Sequence, residues 1–192
     1  MSKLAISGNA SGTGVFTVAS PNSNVDRVLT LPDESGTVDT LQRSGNVIQV
    51  VNFQTGALAT GTTITPNDNT IPQITEGDQY MSLAITPTSA DNILIINVSC
   101  HIASTSGSNI TTHLHVGTTA DALSAAHVII SDNWTICTTF SHSLVAGVTT
   151  ELTFRVRAGG TLAGTRTFNG AGGLARMGGK MASSITITEY TA

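Results

Sequence analysis

The sequence predicts an all-β protein, a small N-terminal β module followed by a larger domain of sandwich or barrel type. Three observations carry that prediction. Strand-like runs bounded by turn residues recur along the chain. Charged residues make up only 10% of the 192 positions, against about a quarter in typical soluble proteins. Thr, Ser, Asn and Gly stand in their place, a mixture that suits strand faces and tight turns and serves helices poorly.

The elements follow in order. Short strands are expected at Lys3 to Ser7, Gly14 to Ala19 and Arg27 to Leu31, closed by the turn Pro32-Asp33-Glu34-Ser35-Gly36. Three short strands bury little, so residues 1–40 are expected to lean on copies of themselves or on a larger surface. Residues 41–46, Leu41-Gln42-Arg43-Ser44-Gly45-Asn46, read as a linker, polar and broken by glycine. The main domain, 47–192, is expected to hold strands at Val47 to Phe53, Gln79 to Thr86, Asn92 to Ala103, Thr111 to Val116, Trp134 to Leu144, Thr150 to Arg157 and Ser183 to Tyr190. Alternation is clearest where Leu152, Phe154 and Val156 interleave with Thr153, Arg155 and Arg157, and where Ile185 and Ile187 interleave with Thr186 and Thr188. Each of these strands should bury one face. Residues 60–78 and 159–179 read as long loops, and 120–126 as one helical turn after Thr118 or Thr119.

Composition excludes several function classes. The eight Lys and Arg residues are scattered, Arg155 and Arg157 being the nearest to a cluster, and the net charge is -4, so nucleic acid is not expected as a partner. Aromatic content of 4% gives no groove of stacked rings for a long sugar chain. Met1-Ser2-Lys3 leads directly into a Ser- and Gly-rich stretch, so no secretory leader is expected. The richest apolar run, Ile93-Leu94-Ile95-Ile96, is far shorter than the roughly 18 residues a membrane helix needs. Synthesis in the cytoplasm without membrane insertion is the expectation.

Candidate chemistry is sparse. His113-Leu114-His115 puts two imidazoles on one face of a strand, about 6 to 7 Å apart, and a threefold axis would gather such pairs into a metal cluster; the alternative is a polar pair on a half-exposed strand. His101, His127 and His142 are solitary. Sugar hydrolysis needs two carboxylates across a cleft. Asp33 and Glu34 share the N-terminal turn, while Glu76, Asp78, Asp91, Asp121, Asp132, Glu151 and Glu189 are single residues near turns or strand ends, where turn chemistry explains them. No Gly-x-Ser-x-Gly elbow is present. Gly12-Thr13-Gly14 and Gly170-Ala171-Gly172-Gly173 lack the following Lys-Ser/Thr or helix of a phosphate loop and read as turns. The assignment is therefore no catalytic, cofactor-binding or metal residues, no cofactor and no enzymatic activity. Cys100 and Cys137 sit in apolar runs and are expected as buried free thiols, with one cross-strand disulfide as the alternative. Trp134 alternates with Ile136, which places it in the core; the other reading is an exposed anchor for a receptor sugar or protein.

Two stretches carry a family resemblance. Ile6-Ser7-Gly8-Asn9-Ala10-Ser11-Gly12-Thr13-Gly14, Phe16-Thr17-Val18-Ala19-Ser20-Pro21-Asn22 and above all Leu29-Thr30-Leu31-Pro32-Asp33-Glu34-Ser35-Gly36-Thr37-Val38 resemble the module that opens many tail-fibre and other virion proteins of tailed bacteriophages and prophages. The resemblance implies that residues 1–40 dock on other virion proteins. The remainder is similar to a domain that often accompanies that module, on the landmarks Val50-Val51-Asn52-Phe53-Gln54-Thr55-Gly56, Thr86-Pro87, Phe154-Arg155-Val156-Arg157-Ala158-Gly159 and Ala182-Ser183-Ser184-Ile185-Thr186-Ile187-Thr188-Glu189. It implies a compact, jelly-roll-like β-sandwich that trimerises as phage fibre heads do, with no site residues carried over. Low charge and abundant Thr, Ser and Gly also suit extensive contact between subunits, which would hide strand edges. The expected role is a tail-fibre or spike component of the virion whose loops 60–78, 103–111 or 159–179 contact a host surface glycan or protein. The alternative is a capsid decoration or head-fibre protein that stabilises the shell.

Overall fold

The computed structural model describes residues 44–192 without a break, and residues 11–15, 17, 19, 22, 24–26 and 28 before them. The chain divides into two compact units, 1–38 and 39–192. The strands expected at Lys3 to Ser7 and, Val28 apart, Arg27 to Leu31, and the turn at 32–36, lie outside the described residues. Within the expected strand Gly14 to Ala19, the described residues 14, 15, 17 and 19 belong to no strand. Val15 there is 91% exposed, so no sheet covers it.

All strands among the described residues belong to the second unit. They are β1 (Val47–Thr55), β2 (Ala59–Gly61), β3 (Asp78–Ile85), β4 (Ile93–Ser104), β5 (Ser108–Val116), β6 (Ser124–Ile130), β7 (Thr135–Val145), β8 (Leu152–Gly160), β9 (Arg166–Phe168), β10 (Gly170–Ala171), β11 (Leu174–Ala175) and β12 (Ser183–Tyr190). One sheet runs β1-β12-β4-β7, and the other β3-β8-β5-β6, with every pairing antiparallel. Past Ser99, where β12 leaves β4, β9 takes its place on that edge and β2 lies outside β9. Two four-stranded sheets in this order form a jelly roll, a β-sandwich of Greek-key connections.

Period-two alternation builds its core. Leu94, Ile96, Val98, Cys100 and Ile102 of β4 face inward with Ile185 and Ile187 of β12, against Phe154 and Val156 of β8 and Ile110 and Leu114 of β5. Each large side chain withdrawn from water in this way contributes about 1.5–3 kcal/mol. Thr112 and Thr138 meet across the two sheets at 2.8 Å, and Thr138 also donates to the Cys100 carbonyl, so the hydroxyls placed inside are satisfied.

Two sequence expectations change here. Residues 120–126 form no helical turn; the chain bends there and enters β6 at Ser124, pairing Ala125 and Ala126 with His113 and Thr112. The stretches read as long loops contain β2, β9, β10 and β11. Gly172 and Gly173, with φ of 60° and 76°, make the two-residue turn of the β10–β11 hairpin, a conformation that glycine adopts without a steric cost.

The segment between β2 and β3 is not a free loop. Residues 62–77 lie over the outer face of the second sheet: the Thr65 amide donates to the Gly160 carbonyl at 3.2 Å, that of Gly77 to Ile64 at 3.1 Å, and that of Ile74 to Ala120 at 2.7 Å. Gln73 bridges to Asp121 at the far end. The strap gives β5 two covered faces, with Ile110, Thr112 and Leu114 toward the core and Thr111, His113 and His115 beneath the strap.

Candidate functional site

The sandwich has two unlike ends. The chain enters at one of them, where the Gly45 amide donates to the Thr191 carbonyl and the Thr191 amide to Asn46, each at 3.0 Å. Residues 44–46, read as linker, are thus bonded to the C-terminus of the domain. At the opposite end the connections β4–β5, β6–β7 and β8–β9 lie side by side: Asn133 N–H donates to Ser104, Thr105 to Thr165, and Thr161 to Asn109.

This far tip carries the exposed apolar residues Ile129 (76%), Trp134 (71%) and Leu162 (54%). Trp134 is therefore not in the core. Asn133 takes a φ of 58°, and the Trp134 amide donates back to Ser131, so a tight turn ends just before β7 and removes Trp134 from the strand's alternation. The turn is pinned by the Asp132 carboxylate, which accepts the Gly107 amide. Beside it lies a shallow depression of about 650 Å³ lined by Gly107, Asn109, Ile129, Ile130, Ser131 and Asp132. The β8–β9 loop is held from inside: the wholly buried Arg166 donates to the carbonyls of Leu162 and Gly164, and burial lowers its pKa. Nothing in the local sequence marks Arg166 for this role, because its partners are backbone carbonyls of the loop that precedes β9.

His113 and His115 are brought together, though not as a half-exposed pair. Both are fully buried, since Thr65 and the strap cover them, and His113 Nδ1 lies 2.8 Å from His115 Nε2. Thr65 Oγ1 faces His113 Nε2 at 3.4 Å. Burial, then the neighbouring imidazole and Arg157, pull the His113 pKa down to about 3; burial likewise lowers that of His115. The pair is neutral and bonded to itself. Among the described residues no three His, Cys, Asp or Glu side chains converge as a metal-binding group.

The carboxylates serve structure. Glu189 is buried and accepts from Gln49 Nε2 (2.6 Å), Asn92 Nδ2 (2.6 Å), and the amide and hydroxyl of Thr88 (both 2.8 Å). Burial opposes its ionisation, yet those hydrogen bonds outweigh burial and hold its pKa below the ordinary carboxylate value. Asp78 accepts from the Thr63 amide and hydroxyl, Glu76 from the Gln73 amide, Asp121 from Gln73 Nε2. Arg157 donates to the carbonyls of Glu76 and Gly77, and Arg155 to that of Gly117, so both arginines fasten loops to the second sheet. Cys100 is buried and its thiol is pushed up to about 12, whereas Cys137 is exposed. The reading of two buried thiols holds for one only, because β7 alternates and Cys137 lies opposite His101 on the outer face. Asp33 and Glu34 lie outside the described residues.

No family model matches the chain, and no curated protein matches it. Solved structures with similar architecture include the Eiger TNF of S. frugiperda, at 11% identity over 77% of this chain and 93% of that one, with a TM-score of 0.45. A protein of the Gx strain of infectious bursal disease virus matches at 11% identity over 86% of this chain and 36% of that one, with a TM-score of 0.38. A structure described as CBM4 matches at 13% identity over 66% and 75%, with a TM-score of 0.34. No residue of this chain takes a role from them.

Proposed function

We propose that the chain is a non-enzymatic structural protein of a tailed-bacteriophage particle, a tail-fibre or spike component that presents its jelly roll to the host surface. The observation that carries this reading is that the chain enters the sandwich at the end opposite the exposed indole. Chain entry at Gly45–Val47 and the exposed Trp134, Ile129 and Leu162 occupy opposite ends, so a domain tethered at its entry holds its apolar tip outward. The resemblance of residues 1–40 to a virion-docking module supplies the tether. Loops 103–111 and 159–165 then belong to the contact surface, while residues 60–78, lying across the second sheet, serve mainly to cover it. A tip of one indole and two aliphatic side chains beside Asp132 and Asn109 suits a partner with both apolar and hydrogen-bonding surface, as a glycan or a protein loop has.

The test is immunogold labelling of intact particles with antibody against residues 47–192. Label confined to the tail supports this reading. Label spread over the head replaces it with a capsid decoration role, and particles without label overturn both.

A further inference from the structure

The two broad faces of the sandwich differ in what covers them. Over the second sheet lie residues 62–77, fastened by Arg157. Over the first sheet, β1-β12-β4-β7, the β10–β11 hairpin reaches only the far end, where Thr135 Oγ1 donates to the Gly170 carbonyl at 3.0 Å, and the middle of the face, around Asn97 and Ser99, is open. At its middle the outward positions are small and polar, with Val50, Ile95, Ile93 and Val145 toward the end where the chain enters. Asn97 stands between Thr186 and Ser141, and Ser99 between Ser184 and Thr139, around a shallow depression of about 370 Å³. In these four strands the only Asp, Glu, Lys or Arg is Glu189, and its side chain is turned inward and buried. The charged side chains of the main domain lie elsewhere.

The edge of this sheet is equally bare. β1 is its outermost strand, Val47–Thr55, with no proline and no charged residue, and Val47, Val50 and Phe53 are 52%, 56% and 39% exposed. Sheets that face water guard such edges with Lys, Pro or a bulge, because the unpaired amides and carbonyls recruit other strands. β1 has a register irregularity only at its first residues, between Val47 and Gln49.

We infer that the outer face of the first sheet, with the β1 edge beside it, is the surface on which a second copy of this chain packs. Close to a rotation axis like residues of the copies come together, so a charged group there would meet its own charge, and a neutral face meets no such penalty. Hydroxyls and amides are donor and acceptor at once, so Ser, Thr and Asn pair with their own copies, which Lys or Glu cannot do. Size is also adequate. Four strands about 4.8 Å apart and about 25 Å long span roughly 500 Å² per copy, so two copies cover about 1,000 Å², the area at which a specific interface becomes possible. This locates the self-association that the fibre reading assumes.

The experiment is the mass of the full chain by sedimentation, for the wild type and for Asn97→Arg, Ser141→Asp and a control, Thr149→Arg in the β7–β8 loop. The wild type and the control are expected to sediment as oligomers at micromolar concentration. Asn97→Arg and Ser141→Asp should be monomers there, with unchanged circular dichroism, and Cys137 should react with a maleimide at least tenfold faster in them than in the wild type. A monomeric wild type, or folded variants that keep the wild-type mass, overturns the inference. Loss of the virion reading by antibody labelling would leave these masses unaltered, so the two failures are distinct.

Discussion

The His113 Nδ1 atom lies 2.8 Å from His115 Nε2, and neither ring is exposed to water. Two residues apart on one strand, the imidazoles share a face, and the strap residue Thr65 closes over them. Protonating either would place a cation in a buried site beside Arg157, with no carboxylate among their hydrogen-bond partners. Asp121, Glu76 and Asp78 lie on the segments around the pair but are engaged with Gln73, Thr63 and one another's loops.

The domain should therefore lose stability on mild acidification. Both folded-state pKa values are lowered, that of His113 to about 3, while an unfolded histidine titrates near 6.5. Stability is full above about pH 6.5 and falls below it, because the unfolded chain takes up protons that the folded one refuses. His113 alone accounts for about 2 kcal/mol between pH 7.5 and pH 5. Urea midpoints at the two pH values should show this, and His113→Gln/His115→Gln should show a smaller difference than the wild type. Equal differences in both proteins would remove the histidines from the account.

Glu189 predicts a second dependence at lower pH. Its pKa is depressed, so its contribution is present above the unfolded carboxylate value, about 4.3, and is lost as pH falls through the folded one. Glu189→Gln keeps the shape but leaves Gln49, Thr88 and Asn92 with one neutral acceptor oxygen. Charge-assisted bonds are worth about 1.5–3 kcal/mol, so the variant should be about 2 kcal/mol less stable at pH 7. The gap should narrow as pH falls below the unfolded carboxylate value and close once it has passed the depressed folded one, where the wild-type carboxyl is itself neutral. A gap constant with pH would mean that shape, and not charge, accounts for the loss.

Trp134 should be dispensable for folding. Exposed at 71%, it packs little, and surface substitutions of this kind usually stay within about 0.5 kcal/mol. On the proposed function, Trp134→Ala should reduce adsorption to host cells at least tenfold, as loss of an aromatic anchor worth about 2 kcal/mol does. A denaturation midpoint that moves with unchanged adsorption would make Trp134 a packing residue.

The parts of the fold legible in the sequence are those where one strand face meets the core and the other meets water. In β8 and β12, Phe154 and Val156, or Ile185 and Ile187, alternate with Thr and Arg, and both elements lie where expected. β6 carries little signal because Ser124-Ala125-Ala126 has weak strand preference and the run Val128-Ile129-Ile130 shows no alternation, although Ile129 points outward and Ile130 inward. The alternation that contains Ile136 does not reach Trp134, which lies before β7 begins and directly follows the left-handed Asn133. Burial of His113 and His115 had no local signal at all. Their cover, Thr65, is 48 residues distant in the chain from His113, and only the tertiary path of the strap brings it there.

That path depends on Gly77, which connects the strap to β3. Its φ is 58°, and a Cβ there would meet the Ala158 carbonyl carbon and oxygen at 2.7 Å, both backbone atoms that cannot move aside. Gly77→Ala therefore combines a left-handed conformation with a backbone clash and should cost about 1–3 kcal/mol. The strain is relieved most readily by lifting the strap, since the sheet beneath it is fixed by the core. The loss should then appear as water reaching the imidazoles, with the His113 resonance titrating nearer to 6.5 in Gly77→Ala than in the wild type when followed by NMR. Destabilisation with His113 still untitrated at pH 5 would mean that the strain is absorbed in β8 instead, and that the strap keeps its seat over the histidines without this glycine.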